Sequence, residues 1–214
     1  MVSSVKDGVL ASRNSEAGTY TLDSISHSAA QTQRLGMRLG ELLRGGELIL
    51  LHGQLGTGKT TFTQGLAQGM GITEYVNSPT FTLLKEYTGA RSSGNHQGRN
   101  LHTPYMPHTS HMARSSRSSR STRSGAPLYH FDLYRLDHPE EILDLGFDEY
   151  FNSDGVCVVE WAEKADLYWP IDHLSIRLKI LSETKRSLLF TASGARYDEL
   201  LRQFQKNAYA STGS

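Results

Sequence analysis

Disulfide chemistry is excluded at the outset, because the chain has a single cysteine, Cys157, inside the apolar run VCVV. Such a thiol reads as buried and inert in a reducing compartment. Long apolar runs are missing too; none approaches the ~20 residues of a membrane span. The first 18 residues are polar, carry both charge signs and have no hydrophobic core of a secretory signal. They are expected to form a flexible extension (1–18), and the protein is expected in the cytoplasm. Acidic residues are absent from 88–131, which holds six arginines at 91, 99, 114, 117, 120 and 123. The rest of the chain has 16 basic residues against 22 acidic ones, so the zero net charge hides an acidic body with a basic segment inserted in it.

That segment, 88–126, reads as an insertion in one domain of 19–209, with 210–214 as a flexible tail. Its centre, HMARSSRSSRSTRSG, is nearly all Arg, Ser and small residues. Too little apolar surface is available there to offset the entropy of ordering, and disorder is expected. The flanks alternate between strand and helix patterns. Strands are expected at 19–25, 47–52, 81–87, 128–132 and 155–161, with an antiparallel pair at 173–181 and 186–192. Helices are expected from Ser28, which forms a capping box with Gln31, and over 59–70, 140–151 and 198–207. Gly69 and Gly71 are expected to terminate the second. The runs ELILLH and VCVVE are the near-continuous apolar type of buried parallel strands. The alternation implies an α/β layered fold, mainly parallel at its centre, with a C-terminal antiparallel hairpin.

Between the ELILLH strand and the following helix stands Gly53-Gln54-Leu55-Gly56-Thr57-Gly58-Lys59-Thr60, a full match to G-x-x-x-x-G-K-[ST]. The glycines let successive N–H groups turn inward around phosphates, and the helix N-terminus adds positive potential. Lys59 is placed to reach the β- and γ-phosphates, and the Thr60 hydroxyl to ligate Mg²⁺. Nucleotide binding with ATP and Mg²⁺ follows. A second buried strand must then present an acidic residue to the metal's ligand shell. Glu160, ending VCVVE, has that place. Asp132, ending LYHFD, is a further candidate that would reach the γ-phosphate or the attacking water. His130 reads as a packed or capping side chain. Either Asp132 or Glu160 would orient the water.

The runs LHGQLGTGKTTFTQGLAQGMGI, VNSPTFTLLKEYTG, YHFDLYRLDHPEEILDLGFDEYF and VCVVEWAEK, in this order and spacing, resemble the TsaE family, over roughly 28–165 apart from the insertion. The resemblance implies a three-layer P-loop fold and a weak Mg²⁺-dependent ATPase. The enzyme would work with the TsaB and TsaD proteins in making threonylcarbamoyladenosine on tRNA, with tRNA an indirect partner. It implies that Thr60 and Glu160 carry Mg²⁺, that Leu55, Gly56, Thr57, Gly58, Lys59, Thr60 and Thr61 hold phosphates, and that Asp132 is essential near the γ-phosphate. Ser78-Pro79-Thr80 would be a switch that senses nucleotide and meets the partner. Ser28, Thr32 and Glu163 would border the adenine, with Arg186 near the nucleotide. The Arg/Ser segment departs from the family pattern. Placed beside the site, it would tune access or docking.

Two other functions fit parts of the chain. A small-molecule or nucleoside kinase also carries a P-loop but needs a folded arginine lid. A nucleotide-regulated RNA-binding module would use the basic segment for weak, salt-sensitive contact. Its one aromatic, Tyr105, offers little base stacking. The histidines at 96, 102, 108 and 111 fit no defined metal spacing.

Overall fold

Apolar residues that alternate between two faces dictate a sheet covered on both sides. The computed structural model of the protein describes residues 9–13, 19–88, 125–144 and 146–210. The arginines and histidines of the basic segment, and its expected disorder, lie outside these residues. The strands are β1 (Val9–Arg13), β2 (Tyr20–Ser26), β3 (Leu48–His52), β4 (Leu84–Tyr87), β5 (Leu128–Asp132), β6 (Val156–Glu160), β7 (His173–Ile180) and β8 (Arg186–Ser193). They form one sheet in the order β1-β2-β8-β7-β3-β6-β5-β4. The four central strands, β7, β3, β6 and β5, are mutually parallel, and every other pairing is antiparallel.

All five residues of β3 and of β6 are buried. Ile49 and Leu51, with Val156 and Val158, face one core, into which helices α1 (Ala29–Gly40), α2 (Lys59–Gly69) and α5 (Ala195–Ala210) send Leu39, Phe62, Leu66, Leu201 and Phe204. Leu48 and Leu50, with Cys157 and Val159, face the other, closed by α3 (Glu141–Asp144), α4 (Phe147–Phe151) and a 3₁₀ helix (Ala162–Tyr168). Each fully buried aliphatic or aromatic side chain stabilises by about 1.5–3 kcal/mol relative to exposure. Burial of the Cys157 thiol pushes its pKa up to about 12, consistent with an inert role.

Helix α1 begins as the sequence implies. The Ser28 side chain accepts from the Gln31 N–H at 3.2 Å, and the Gln31 carboxamide accepts from the His27 N–H at 2.7 Å. Helix α2 ends in a Schellman arrangement: the Ile72 N–H reaches the Ala67 carbonyl and the Gly71 N–H the Gln68 carbonyl, with Gly71 at φ +80°. Gly69, expected to share that role, instead packs against α1. A methyl group there would lie 2.0 Å from the Met37 carbonyl oxygen, and one at Gly65 would lie 1.9 Å from that of Gln33. Gly36 and Gly40 meet the Phe62 and Leu66 carbonyls at 2.1 Å in the same sense. The two helices therefore touch backbone to backbone.

Several expectations are corrected. Val9–Arg13, within the stretch read as a flexible extension, pairs antiparallel with β2. The single helix expected at 140–151 is two short ones, because Gly146 adopts φ +65°, which no helix interior accommodates. The strand expected from Phe81 starts only at Leu84: the Thr82 and Leu83 N–H groups fold back onto the Pro79 carbonyl, and Leu83 takes φ +62°. The basic segment leaves and returns through paired residues, Tyr87 opposite Leu128. Leu128 opens β5, whereas the Gly53 loop follows the far end of β3, so the segment is anchored at the opposite end of the sheet from that loop rather than beside it.

Candidate active site

The parallel centre brings three strand ends together. Register places Leu51 of β3 beside Glu160 of β6, and Glu160 beside Asp132 of β5. The loop 53–58 crosses above them and ends in α2, whose first turn holds Lys59 and Thr60. Gly53, Gly56 and Gly58 take φ of +141°, +79° and +99°. At Gly58, the residue that caps α2, a side chain would have room, with Thr32 Cγ2 the nearest atom at 3.7 Å; the backbone angle is what demands glycine.

Lys59 is 5% exposed. Its ammonium donates to the Gly53 and Gln54 carbonyls at 2.5 and 3.2 Å and lies 3.7 Å from the centre of the Trp161 ring. Burial lowers its pKa, and Glu160, Glu163 and Asp132 oppose that shift. Trp161 is reached through a left-handed turn, φ +59°, directly after Glu160.

Glu160 is 2% exposed, and an unpaired carboxylate at that depth would cost several kcal/mol. Its Oε2 accepts from the Thr60 hydroxyl at 3.0 Å; its Oε1 accepts from His130 Nε2 at 2.8 Å, with the Thr63 hydroxyl at 3.5 Å. His130 is thus more than a packed or capping side chain. A hydroxyl and a carboxylate side by side form the hard-oxygen donor pair that suits Mg²⁺, which takes one or two protein oxygens and completes its shell with phosphates and water. Among the described residues no cluster of three or more His, Cys, Asp or Glu has metal-binding geometry, so a phosphate ligand would have to supply the rest of such a shell.

Asp132 accepts from Tyr134 N–H at 2.9 Å through Oδ1, and from the hydroxyls of Ser78 and Thr80 (2.8 Å for Thr80) through Oδ2. The 78–80 segment is therefore latched directly onto the carboxylate that faces the loop.

The remaining candidates divide into two groups. Ser28, Thr32, Gly56, Gly58, Thr61 and Arg186 line one cavity of about 260 Å³, together with Ala29, Glu183 and Thr184. Arg186 also donates to the Gly56 carbonyl at 3.2 Å, so the β7–β8 turn touches the loop. Glu163 does not join this cavity. It accepts from the Gly53 N–H at 3.3 Å and sits 3.7 Å from His52 Nδ1, at the entrance of the loop. Thr57, 3% exposed, turns its hydroxyl back to the Gln54 carbonyl at 2.8 Å, and the Leu55 side chain is 74% exposed. Those two residues offer backbone, not side chain, to a phosphate. A larger groove of about 480 Å³ beside 71–76 presents the carboxamides of Gln33, Gln64 and Gln68 but no cation, and lacks the charge for phosphate.

Sequence reasoning missed the His130–Glu160 bond and the seat of Lys59 on Trp161. The first had a signal: His130 and Asp132 stand at i and i+2 of one strand and share a face. The second had none, since a left-handed tryptophan is not foreseeable from residue type.

The chain matches the family model described as "Threonylcarbamoyl adenosine biosynthesis protein TsaE" over residues 26–102 and 116–188. It is 35% identical to the tRNA threonylcarbamoyladenosine biosynthesis protein TsaE of Bacillus subtilis over 83% of this chain and 89% of that one. With its counterpart in Treponema pallidum it shares 34% identity over 77% of this chain and 96% of the relative. The crystal structure of Bacillus subtilis YdiB superposes with a TM-score of 0.65 at 30% identity, covering 90% of this chain and 99% of that one. A P-loop closed by Glu160 and Asp132, on a fold and sequence shared with these proteins over most of their length, establishes that this chain belongs to the TsaE family.

Proposed function

We propose that this protein hydrolyses the β–γ bond of ATP, with Mg²⁺, in support of threonylcarbamoyladenosine formation on tRNA, together with TsaB and TsaD in the cytoplasm. The observation that carries the reading is the 3.0 Å contact between Thr60 and Glu160 beneath a complete phosphate-binding loop. No helix among the described residues is long and apolar enough to cross a membrane. The loop N–H groups and Lys59 bind and orient the phosphates. Thr60 and Glu160 would hold Mg²⁺, which when bound neutralises charge developing on the phosphoryl oxygens. Water attacks the γ-phosphorus, the bond to the β-bridging oxygen breaks, and ADP and phosphate leave. Asp132, tied to the 78–80 segment, is the carboxylate assigned to orienting the water. Ser28, Thr32 and Arg186 line the cavity assigned to the nucleoside. Glu163 supports the loop from its entrance.

The test is ATP hydrolysis by the purified chain, alone and with a TsaB–TsaD pair and tRNA. Weak turnover that rises with the partners, and is lost with tight ATP binding in Lys59→Ala, is expected. Asp132→Asn should keep ATP affinity and slow turnover by about a hundredfold. Transfer of phosphate to a small acceptor, or partner-independent fast turnover, would overturn the assignment.

A further inference from the structure

The buried histidine of β5 has a place in the site that nothing above accounts for. His130 is fully buried, and its Nε2 lies 2.8 Å from Glu160 Oε1. A carboxylate oxygen only accepts, so Nε2 carries the hydrogen and donates. The other ring nitrogen, Nδ1, is buried without a hydrogen-bond partner. A residue needed only for packing would be aliphatic here, because leaving a polar nitrogen unpaired costs free energy that leucine avoids. Something other than packing keeps an imidazole at this position. It is not proton transfer to water, since the ring has no exposed surface. Nor is it Asp132, whose oxygens are held by Ser78, Thr80 and the Tyr134 N–H.

What the imidazole does touch is the oxygen of Glu160 that Thr60 leaves free. The glutamate has three rotatable side-chain bonds and, at a strand end, would sample several rotamers. Anchors on both oxygens leave one orientation: Oε1 on His130 at 2.8 Å, with the Thr63 hydroxyl farther off at 3.5 Å, and Oε2 on Thr60 at 3.0 Å. We propose that His130 is a positioning residue which, by donating Nε2–H to Glu160 Oε1, aims Oε2 at the Thr60 hydroxyl and so presets the carboxylate–hydroxyl pair for a divalent cation. The proposal rests on the Mg²⁺–ATP reading above and names a residue through which that site is built. Partners that orient a metal ligand in this way typically change metal affinity by about 10–100-fold when removed.

The experiment uses the full chain and its His130→Leu and His130→Gln variants. Binding of a non-hydrolysable ATP analogue is measured by calorimetry across a Mg²⁺ series, and binding of ADP is measured in EDTA. Glutamine places an amide N–H near the position of Nε2–H; leucine removes the donor and keeps bulk. His130→Leu should need about tenfold more Mg²⁺ for the same tightening of analogue binding. Its ADP affinity without metal should stay within about twofold of the wild type, and His130→Gln should recover most of the metal response. A Mg²⁺ response in His130→Leu equal to the wild type overturns the proposal. So does a glutamine variant as impaired as leucine, which would show that the donor is irrelevant. Loss of metal-free ADP binding in His130→Leu would instead assign the residue to packing and overturn it too. If the wild type itself shows no Mg²⁺ dependence, the function proposed above fails and takes this inference with it, a result distinct from failure in the variants alone.

Discussion

Glycine is used for opposite reasons in the loop 53–58 and in the α1–α2 contact. At Gly56 and Gly58 of the loop the requirement is angular: φ is +79° and +99°, and a methyl group would come no closer than 3.7 Å to another side chain, whereas Gly53 at φ +141° would also meet the Leu178 carbonyl at 2.5 Å. Between the helices the requirement is spatial: Gly36, Gly40, Gly65 and Gly69 have no positive φ, yet a methyl group on any of them would lie 1.9–2.1 Å from a backbone oxygen of the other helix. The first set shapes the loop assigned to phosphate, and the seating of α1 against α2 depends on the second. Because α1 and its cap carry Thr32 and Ser28, and α2 carries Thr61, the close contact also bears on the width of the cavity these residues line.

The largest effect that would break this contrast is expected at Gly65. Alanine is favoured over glycine in a helix by about 1 kcal/mol. Overpacking against a backbone oxygen costs about 1–3 kcal/mol and more where the neighbour cannot move. The neighbour here is the rigid Gln33 carbonyl, so the clash should win. Gly65→Ala is expected to lower stability by about 2 kcal/mol, read as a fall in Tm of about 4–8 °C. An unchanged Tm would mean that the helices part freely. Gly58→Ala should act mainly on binding, with a stability cost of about 1 kcal/mol at a left-handed angle. ATP affinity would drop about tenfold while Tm moves less than for Gly65→Ala. Equal losses of stability in both variants would erase the distinction.

The smallest expected effect concerns pH. Burial lowers the pKa of His52 at the loop entrance, with Glu163 and Asp166 opposing. The unfolded chain therefore binds the proton more readily than the folded one. The stability this residue contributes is complete above the unfolded value near 6.5, and falls as pH drops through it toward the folded value. Urea unfolding at pH 7.5 and 5.5 should show a loss on acidification that is smaller in His52→Gln. Identical losses would exclude His52 as its source.

Legibility in the sequence tracked how local the determinants were. Strands β3 and β6 declared themselves because near-continuous apolar runs leading to Gly53 and Glu160 have few other homes, and the phosphate loop is a contiguous motif. Helix α1 was legible from Ser28 and Gln31 for the same reason. The short α3 and α4 were not, since the break at Gly146 is a choice of backbone angle within an otherwise helical composition. Nor was the glycine contact, because Gly36 and Gly65 acquire meaning only once the two helices are paired. Within the site, Lys59, Thr60 and Glu160 were placed by motif and strand end. Arg186 reaches Gly56 through a long-range turn that no local pattern specifies.

The pairing of Tyr87 with Leu128 has a thermodynamic corollary. A connection that leaves a sheet and returns to the adjacent paired residue is a closed circuit, whose length enters stability only through the logarithm of its contour. For a freely wandering chain, a circuit roughly tenfold longer than a tight hairpin turn costs about 2 kcal/mol in closure entropy, and further doublings add about 0.6 kcal/mol each. A flexible connection at such a hem can change length at small and diminishing expense, and the strand ends that carry Asp132 and Glu160 lie at the other end of the sheet.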